Sequence, residues 1–208
     1  MVKPFVLSRI PEIHFGAGKF ADLLGIIANK GENVLIVTGW MSFRKSAQWS
    51  DLTKALNEKG VKFWDVQVKD EPSPDLVDSV CLQFREKKID LVIGIGGGSA
   101  LDGAKAISAM LPLNDSVMGY LEGVGAKQHP GCKVPYIAVP TTSGTGSEAT
   151  KNAVLSQVGE TGFKKSLRHD NFTPDIALVD PLLTLTCPPE LTAACGMDAF
   201  SQLLEAYV

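Results

Sequence analysis

Apolar and polar positions alternate in blocks along this chain, and the blocks predict strands and helices in turn. Phe5 to Phe15 holds two short extended runs broken by Pro11, followed by a turn at Gly16-Ala17-Gly18. Lys19 to Asn29 reads as a helix. Val34-Leu35-Ile36-Val37, within Asn33 to Thr38, is apolar throughout and short, the pattern of a strand buried on both faces. Ser46 to Lys59 places Leu52, Ala55 and Leu56 on one helical face, and Val61 to Val68 predicts the next strand. Pro74 to Lys87 is a helix with Ser73 as N-cap and Pro74 at its first position. Ile89 to Ile93 is a strand again, and Ala104 to Met110 a helix. Tyr136 to Val139 and Ile176 to Val179 predict two more strands.

Parallel strands require crossovers of this kind. The expected fold is therefore α/β: an open, mostly parallel Rossmann-like sheet with helices on both faces. The pattern changes near Asp180-Pro181. Thr186-Cys187-Pro188-Pro189-Glu190 starts a helix, and Ala193 to Val208 is helical with no C-cap glycine and no polar tail. The expected organisation is a nucleotide-binding domain over 1–184 and, over 185–208, the start of a C-terminal all-helical domain, as in a fragment of a longer protein.

Composition narrows the function classes. A net charge of −3 with dispersed basic residues gives no nucleic-acid surface. No apolar run approaches the roughly 18 residues of a membrane span. Met1 to Phe5 has no signal-peptide apolar region. Cys81, Cys132, Cys187 and Cys195 form no Cys-x-x-Cys pair and read as free thiols. A cytoplasmic protein is expected.

The chemistry concentrates in three places. Gly94-Ile95-Gly96-Gly97-Gly98-Ser99-Ala100-Leu101-Asp102-Gly103-Ala104-Lys105 joins a strand to a helix. Glycines there let the backbone approach a ligand, and the helix N-terminus favours a phosphate or diphosphate. It is neither the usual dinucleotide fingerprint, because Ser99 stands where a third glycine falls, nor a P-loop, because Lys105 lies inside the helix. Pro140-Thr141-Thr142-Ser143-Gly144-Thr145-Gly146-Ser147-Glu148 follows another strand and offers hydroxyls to ribose, phosphate or amide groups without adding charge. Asp198 and Gln202, four apart, share a helix face where two oxygens suit a divalent metal or, equally, a polar surface.

These runs, with Asp180-Pro181-x-x-Thr184 and Gly196-Met197-Asp198-Ala199, stand in an order and spacing that resembles the iron-containing, or group III, alcohol dehydrogenases. The resemblance runs from about Pro11 to Val208. The glycine run alone also fits glycerol dehydrogenases and dehydroquinate synthases, and the Thr141 to Glu148 loop favours the alcohol dehydrogenases. The resemblance implies NAD(P) in a cleft between an α/β and a helical domain, beside a divalent metal, iron or zinc. It implies that Gly97, Gly98, Ser99 and Asp102 hold the diphosphate and nearby cofactor, that Thr141, Thr142 and Thr145 contact it, and that Lys164 reaches it. Asp198 matches the first metal ligand. The second, usually a histidine, is here Gln202, and two further histidines would lie beyond Val208. His14, His129 and His169 match no ligand position.

Hydride transfer between a small alcohol or aldehyde and NAD(P), with the metal as Lewis acid, is the implied reaction, and a homodimer is implied as well. No general base is identifiable. A stand-alone nucleotide-binding module without catalysis is the alternative. An aspartate stands about where this chain has Gly39 in the relatives that prefer NAD. Gly39, with Ser42, Arg44 and Lys45 as donors to a 2′-phosphate, inclines the expectation to NADP.

Overall fold

The computed structural model describes Pro4, Val6 and residues 8–207. Six parallel strands form one sheet in the order β1 (Glu12–Phe15), β8 (Ile176–Val179), β5 (Tyr136–Pro140), β4 (Leu91–Gly96), β2 (Asn33–Gly39), β3 (Lys62–Val68). Helices α1 (Leu23–Ala28) and α2 (Ala47–Glu58) cover one face, and α3 (Pro74–Phe84) and α4 (Gly98–Met110) the other. Successive strand residues point to opposite faces. Val34 and Ile36 accordingly pack with Leu23, Ile27, Leu52 and Leu56, while Leu35 and Val37 pack with Val77, Phe84, Leu101 and Ile107. Burial on both faces explains the unbroken apolar runs of the central strands.

Several elements differ from the sequence expectation. The first of the two N-terminal extended runs falls partly outside the described residues, and the second is β1. Lys19 to Asn29 is not one helix: a 3-10 turn, Lys19–Asp22, precedes α1. The buried Asp180 carboxylate sets that turn, accepting from the N–H groups of Gly18, Phe20 and Leu182 at 3.1, 3.0 and 3.0 Å. Helix α4 begins at Gly98, six residues earlier than the apolar pattern suggests, because glycine and serine at its head hide the helical period. An antiparallel hairpin, β6 (Asn152–Gln157) with β7 (Phe163–Arg168), forms a second small sheet against α4. The sequence reading missed it. The last helix, α5 (Pro189–Tyr207), has no buried residue. Among the described residues no helix is long and apolar enough to cross a membrane.

Candidate functional site

The carboxyl ends of four strands meet in one place. Register aligns Gly39 with Val68, Thr38 with Ile95, and Gly96 with Pro140, so the turns after β2, β3, β4 and β5 converge. Ligands of open parallel sheets bind at such an end. Here it opens into a cleft of about 740 Å³, whose walls include Gly39, Gly97, Gly98, Ser99, Asp102, Thr142, Thr145 and Lys164. Eight of the residues expected from sequence to hold a cofactor are thus brought together. Thr141 and Ser42 lie instead in an adjoining smaller hollow, flanked by Phe43, Leu182 and Leu183, which shares Thr142 and Leu191 with the main cleft.

The glycine turn has a steric cause. Gly96 has φ of 155°, a conformation L side chains rarely adopt, and a Cβ there would sit 2.6 Å from the Ala100 Cβ. At Gly98 a Cβ would lie 2.8 Å from the Thr145 Cγ2, and at Gly97 one would lie 3.3 Å from the Thr142 Oγ1. The hydroxyl loop therefore roofs the turn at van der Waals distance. Gly97, the N-cap of α4, supplies no side-chain cap, so the first N–H groups of the helix lack the usual side-chain acceptor. An uncapped N-terminus at a cleft wall is a ready site for an anion.

Asp102, one turn further, gives a second sign of a missing partner. Its Oδ2 accepts from Val154 N–H at 3.1 Å, while its Oδ1, buried and 3.9 Å from the Lys105 ammonium, has no hydrogen-bond partner. Burial pushes this carboxyl above its usual range, against the lowering effect of the Lys105 ammonium. An orphaned buried acceptor at a cleft wall leaves room for a donor from water or a ligand. The helix terminus, the roofing hydroxyls and this acceptor together fit a dinucleotide, with its diphosphate, ribose hydroxyls and amide.

The cationic side of the site differs from the sequence expectation. Lys164 Nζ donates to Glu71 Oε1 at 2.5 Å, and Glu71 also accepts from the Ser156 hydroxyl. The Lys164 and Ser156 hydrogen bonds hold the Glu71 carboxyl below its usual range. Arg44, expected as a free donor to a 2′-phosphate, is already engaged. It donates to the Thr38 Oγ1 at 2.7 Å and to Asp65, and its guanidinium lies 4.9 Å from the Trp49 ring centroid. Lys45 lines neither hollow. In their place Lys69 stands at the cleft wall, its ammonium 4.3 Å from the Trp40 ring centroid. Sequence reasoning missed Trp40, Lys69, Asp70 and Glu71. The rule that ligands bind at strand ends, applied to β3 as well as β2, would have found them.

Helix α5 flanks the cleft through Leu191 and Cys195, and the Cys195 backbone packs so close to Gly144 that a Cβ there would lie 2.7 Å from its carbonyl oxygen. Asp198 and Gln202 stand exposed on this helix, and neither side chain makes a hydrogen bond within the described residues. Among those residues no group of three or more His, Cys, Asp or Glu side chains is placed to hold a metal ion. Two oxygens fall short of the four to six donors a divalent ion takes, so these residues alone do not complete a metal site. The histidines are used locally. His14 pairs with Glu12 at 2.8 Å, His129 bonds the Ala109 carbonyl and the Gly131 N–H, and His169 accepts from the Asn171 N–H.

Known proteins share this sequence and fold. The profile of the family described as iron-containing alcohol dehydrogenase matches residues 11–181. Long-chain-alcohol dehydrogenase 1 of Geobacillus thermodenitrificans is 39% identical over 201 residues, covering 95% of this chain and 50% of that protein. The NADPH-dependent butanol dehydrogenase of Clostridium saccharobutylicum is 32% identical over 98% of this chain and 51% of its own length. Among solved structures, NADH-dependent butanol dehydrogenase A of Thermotoga maritima superposes with a TM-score of 0.87 at 28% identity, over 98% of this chain and 50% of that one. The chain spans about half the length of the curated relatives it matches. With the profile covering most of its length and a relative 39% identical over 95% of it, this chain belongs to the iron-containing alcohol dehydrogenase family.

Proposed function

We propose that these residues form the cofactor-binding portion of an oxidoreductase that moves hydride between a small alcohol and its aldehyde, with NAD(P) as the partner. The observation that carries this is the uncapped α4 N-terminus under Thr142 and Thr145, one turn from the unpartnered Asp102 oxygen. When bound, the nicotinamide supplies the hydride chemistry. The chain's own part is to hold and orient. The N–H groups of Gly98 and Ser99 receive the diphosphate, the Thr142 and Thr145 hydroxyls bond the nucleotide without adding charge, and Asp102 accepts from a ribose or amide donor. Lys164, paired with Glu71 at the cleft wall, sets a positive charge beside the cofactor. The smaller hollow at Thr141 and Ser42, with its apolar flanks, suits the adenosine end.

Asp198 and Gln202 are this chain's share of a divalent-metal site, for iron or zinc. The preference for NADP(H) rests on Gly39, where no carboxylate ends β2, and on Lys69 beside it. A Cβ at Gly39 meets nothing within 4 Å, so an aspartate fits there.

Titration with NADH and NADPH, followed by nucleotide fluorescence, tests the reading. Micromolar binding of one nucleotide is expected. NADH binding tenfold tighter than NADPH, about 1.4 kcal/mol, would overturn the NADP preference. Gly39→Asp is expected to reverse an NADPH preference through repulsion of the 2′-phosphate. Turnover of short alcohols by residues 1–208 alone is expected to stay below about 1 s⁻¹, the low end of ordinary enzymes. Binding without turnover in a longer protein too would favour the non-catalytic module.

A further inference from the structure

The most enclosed charged group at this site lies behind the cleft wall. Lys105 follows Asp102 by three residues on α4 and is 1% exposed. Its ammonium lies 2.8 Å from the Ser147 carbonyl oxygen, 2.8 Å from that of Thr150, 2.9 Å from the Thr150 Oγ1 and 2.9 Å from the Asn152 carbonyl oxygen. An ammonium has three N–H donors, and here four oxygens share them. Three acceptors belong to the end of the hydroxyl-loop segment, and the fourth opens β6. The Asp102 carboxylate, 3.9 Å from the ammonium, takes the Val154 N–H on the same strand. One turn of α4 thus grips the loop that carries Thr142 and Thr145 and the root of the hairpin that carries Lys164.

We propose that Lys105 is a positioning residue for nucleotide binding: its ammonium clamps the hydroxyl loop and the β6–β7 hairpin to the phosphate-binding helix, delivering Thr142, Thr145 and Lys164 to the cleft as one preassembled set. This rests on the reading of the cleft as an NAD(P) site. Packing alone does not account for the residue. Apolar side chains of similar volume at positions 102 and 105 would avoid the desolvation of both charges, and replacing a whole buried ion pair by apolar groups is often neutral or stabilising. A charge held in a cage of carbonyl oxygens instead fixes a loop that has little regular structure of its own, and a site fixed before the ligand arrives loses less entropy on binding.

The clamp also carries a pH signature. Burial pushes the Lys105 ammonium down to about 8, with the charges of Asp102 and Glu148 opposing the fall and that of Lys133 adding to it. A neutral amine has two N–H groups for four oxygens and turns a lone pair toward them. The loop is therefore released as pH rises through this value.

The test is nucleotide affinity of the full chain between pH 6.5 and 9.5, for wild type, Lys105→Met and Lys105→Arg, with folding followed by circular dichroism. Wild-type dissociation constants for the preferred nucleotide are expected to hold steady to about pH 7.5 and to rise at least fivefold by pH 9.5. Lys105→Met is expected to bind at least tenfold more weakly at pH 7 and to show no further rise. Lys105→Arg, charged throughout, is expected to recover part of that affinity with a flat profile. A folded Lys105→Met with wild-type affinity overturns the proposal, and so does a wild-type profile that is flat or that Lys105→Arg reproduces. If Lys105→Met does not fold, the wild-type and Lys105→Arg profiles decide by themselves. Failure of the wild type to bind either nucleotide at pH 7 overturns the NAD(P) reading itself, and the clamp falls with it. Tight wild-type binding that ignores position 105 overturns the clamp alone.

Discussion

Helices α4 and α5 each carry a polar pair on one face, and the two pairs meet opposite environments. On α4, every residue from Ala100 to Met110 is buried, Asp102 and Lys105 included. On α5, none of the 19 residues is, and Asp198 and Gln202 stand in solvent. Spacing of three or four residues says only that two side chains share a face. Enclosure decides what they can do. Around Asp102, burial leaves an oxygen unpartnered and raises the carboxyl, and the same burial sets Lys105 in its cage of oxygens. Small residues make this possible: Gly94 lets α4 so close to the sheet that a Cβ there would lie 2.8 Å from the Ala104 Cβ. Helix α5 instead presents Met197, Phe200, Leu203 and Leu204 to solvent.

The sharpest break of this contrast is in stability. Ile107, fully buried against the sheet, and Leu203, 73% exposed, lose the same atoms on truncation. Ile107→Ala is expected to cost about 2–5 kcal/mol, transfer plus cavity. Leu203→Ala is expected to change stability by no more than about 0.5 kcal/mol. Urea unfolding of the two variants measures both. Equal losses would mean that α5 is packed in solution and that the contrast is wrong.

Next in size is the effect of a side chain between the two walls of the cleft. Gly98→Val puts branched methyl groups where the Thr145 side chain already stands 2.8 Å from a bare Cβ, and where the diphosphate approaches the helix N-terminus. Overpacking of this kind costs about 1–3 kcal/mol of stability, and Thr145, exposed at the loop, has room to yield. Nucleotide affinity is expected to fall about a hundredfold, about 2.7 kcal/mol. A folded Gly98→Val that binds as wild type would remove the glycine turn from the site.

The α4 half of the contrast was more legible in the sequence than the α5 half. The apolar runs Val34–Val37 and Tyr136–Val139, the Ser73 cap and the glycine turn are local signals, and the structure keeps each. The Ser73 hydroxyl does accept from the Leu76 N–H, at 3.1 Å. What was illegible depends on partners far apart in sequence. The β6–β7 hairpin hides because Lys164 and Lys165 interrupt its apolar alternation, and β6 packs on α4, about 40 residues earlier in the chain. The resemblance brings Lys164 to the cofactor, but its ion-pair partner Glu71, 93 residues away, leaves no local signal. Lys105 belongs to the run that carries the family resemblance and lies too deep in its helix for a P-loop, and neither signal reveals its burial. Yet a lysine and an aspartate are the only charged residues in the otherwise small and apolar stretch Gly98 to Met110, and that isolation is the signal for a buried pair.

A smaller effect separates Asp102 by its titration. Burial raises its carboxyl above the usual 3.8, so the folded state keeps the proton to a higher pH than the unfolded state. Its stabilising contribution is then full below the unfolded value and is lost as pH rises through the folded one. Asp102→Asn keeps an oxygen to accept the Val154 N–H and removes the charge. The unfolding free energy of wild type, relative to Asp102→Asn, is expected to decline as pH rises from about 4 toward neutrality. Denaturant curves at several pH values measure it. A difference independent of pH would show that the carboxyl is solvated after all.

The smallest expected effect belongs to Asp198. Its side chain is exposed and makes no hydrogen bond within the described residues, so Asp198→Ala is expected to leave stability within about 0.5 kcal/mol of wild type. Added metal makes this a demanding comparison. A ligand that binds only the folded state at ten times its dissociation constant stabilises by about 1.4 kcal/mol, enough to displace a melting midpoint measurably. With two oxygens on one exposed helix face, ferrous or zinc ion at 0.1 mM is expected to move wild type and Asp198→Ala equally, through nonspecific effects alone. A rise confined to wild type would show that Asp198 and Gln202 already gather the remaining donors from water or from neighbouring backbone. The exposed pair would then be a working site, and enclosure would cease to be what distinguishes α4 from α5.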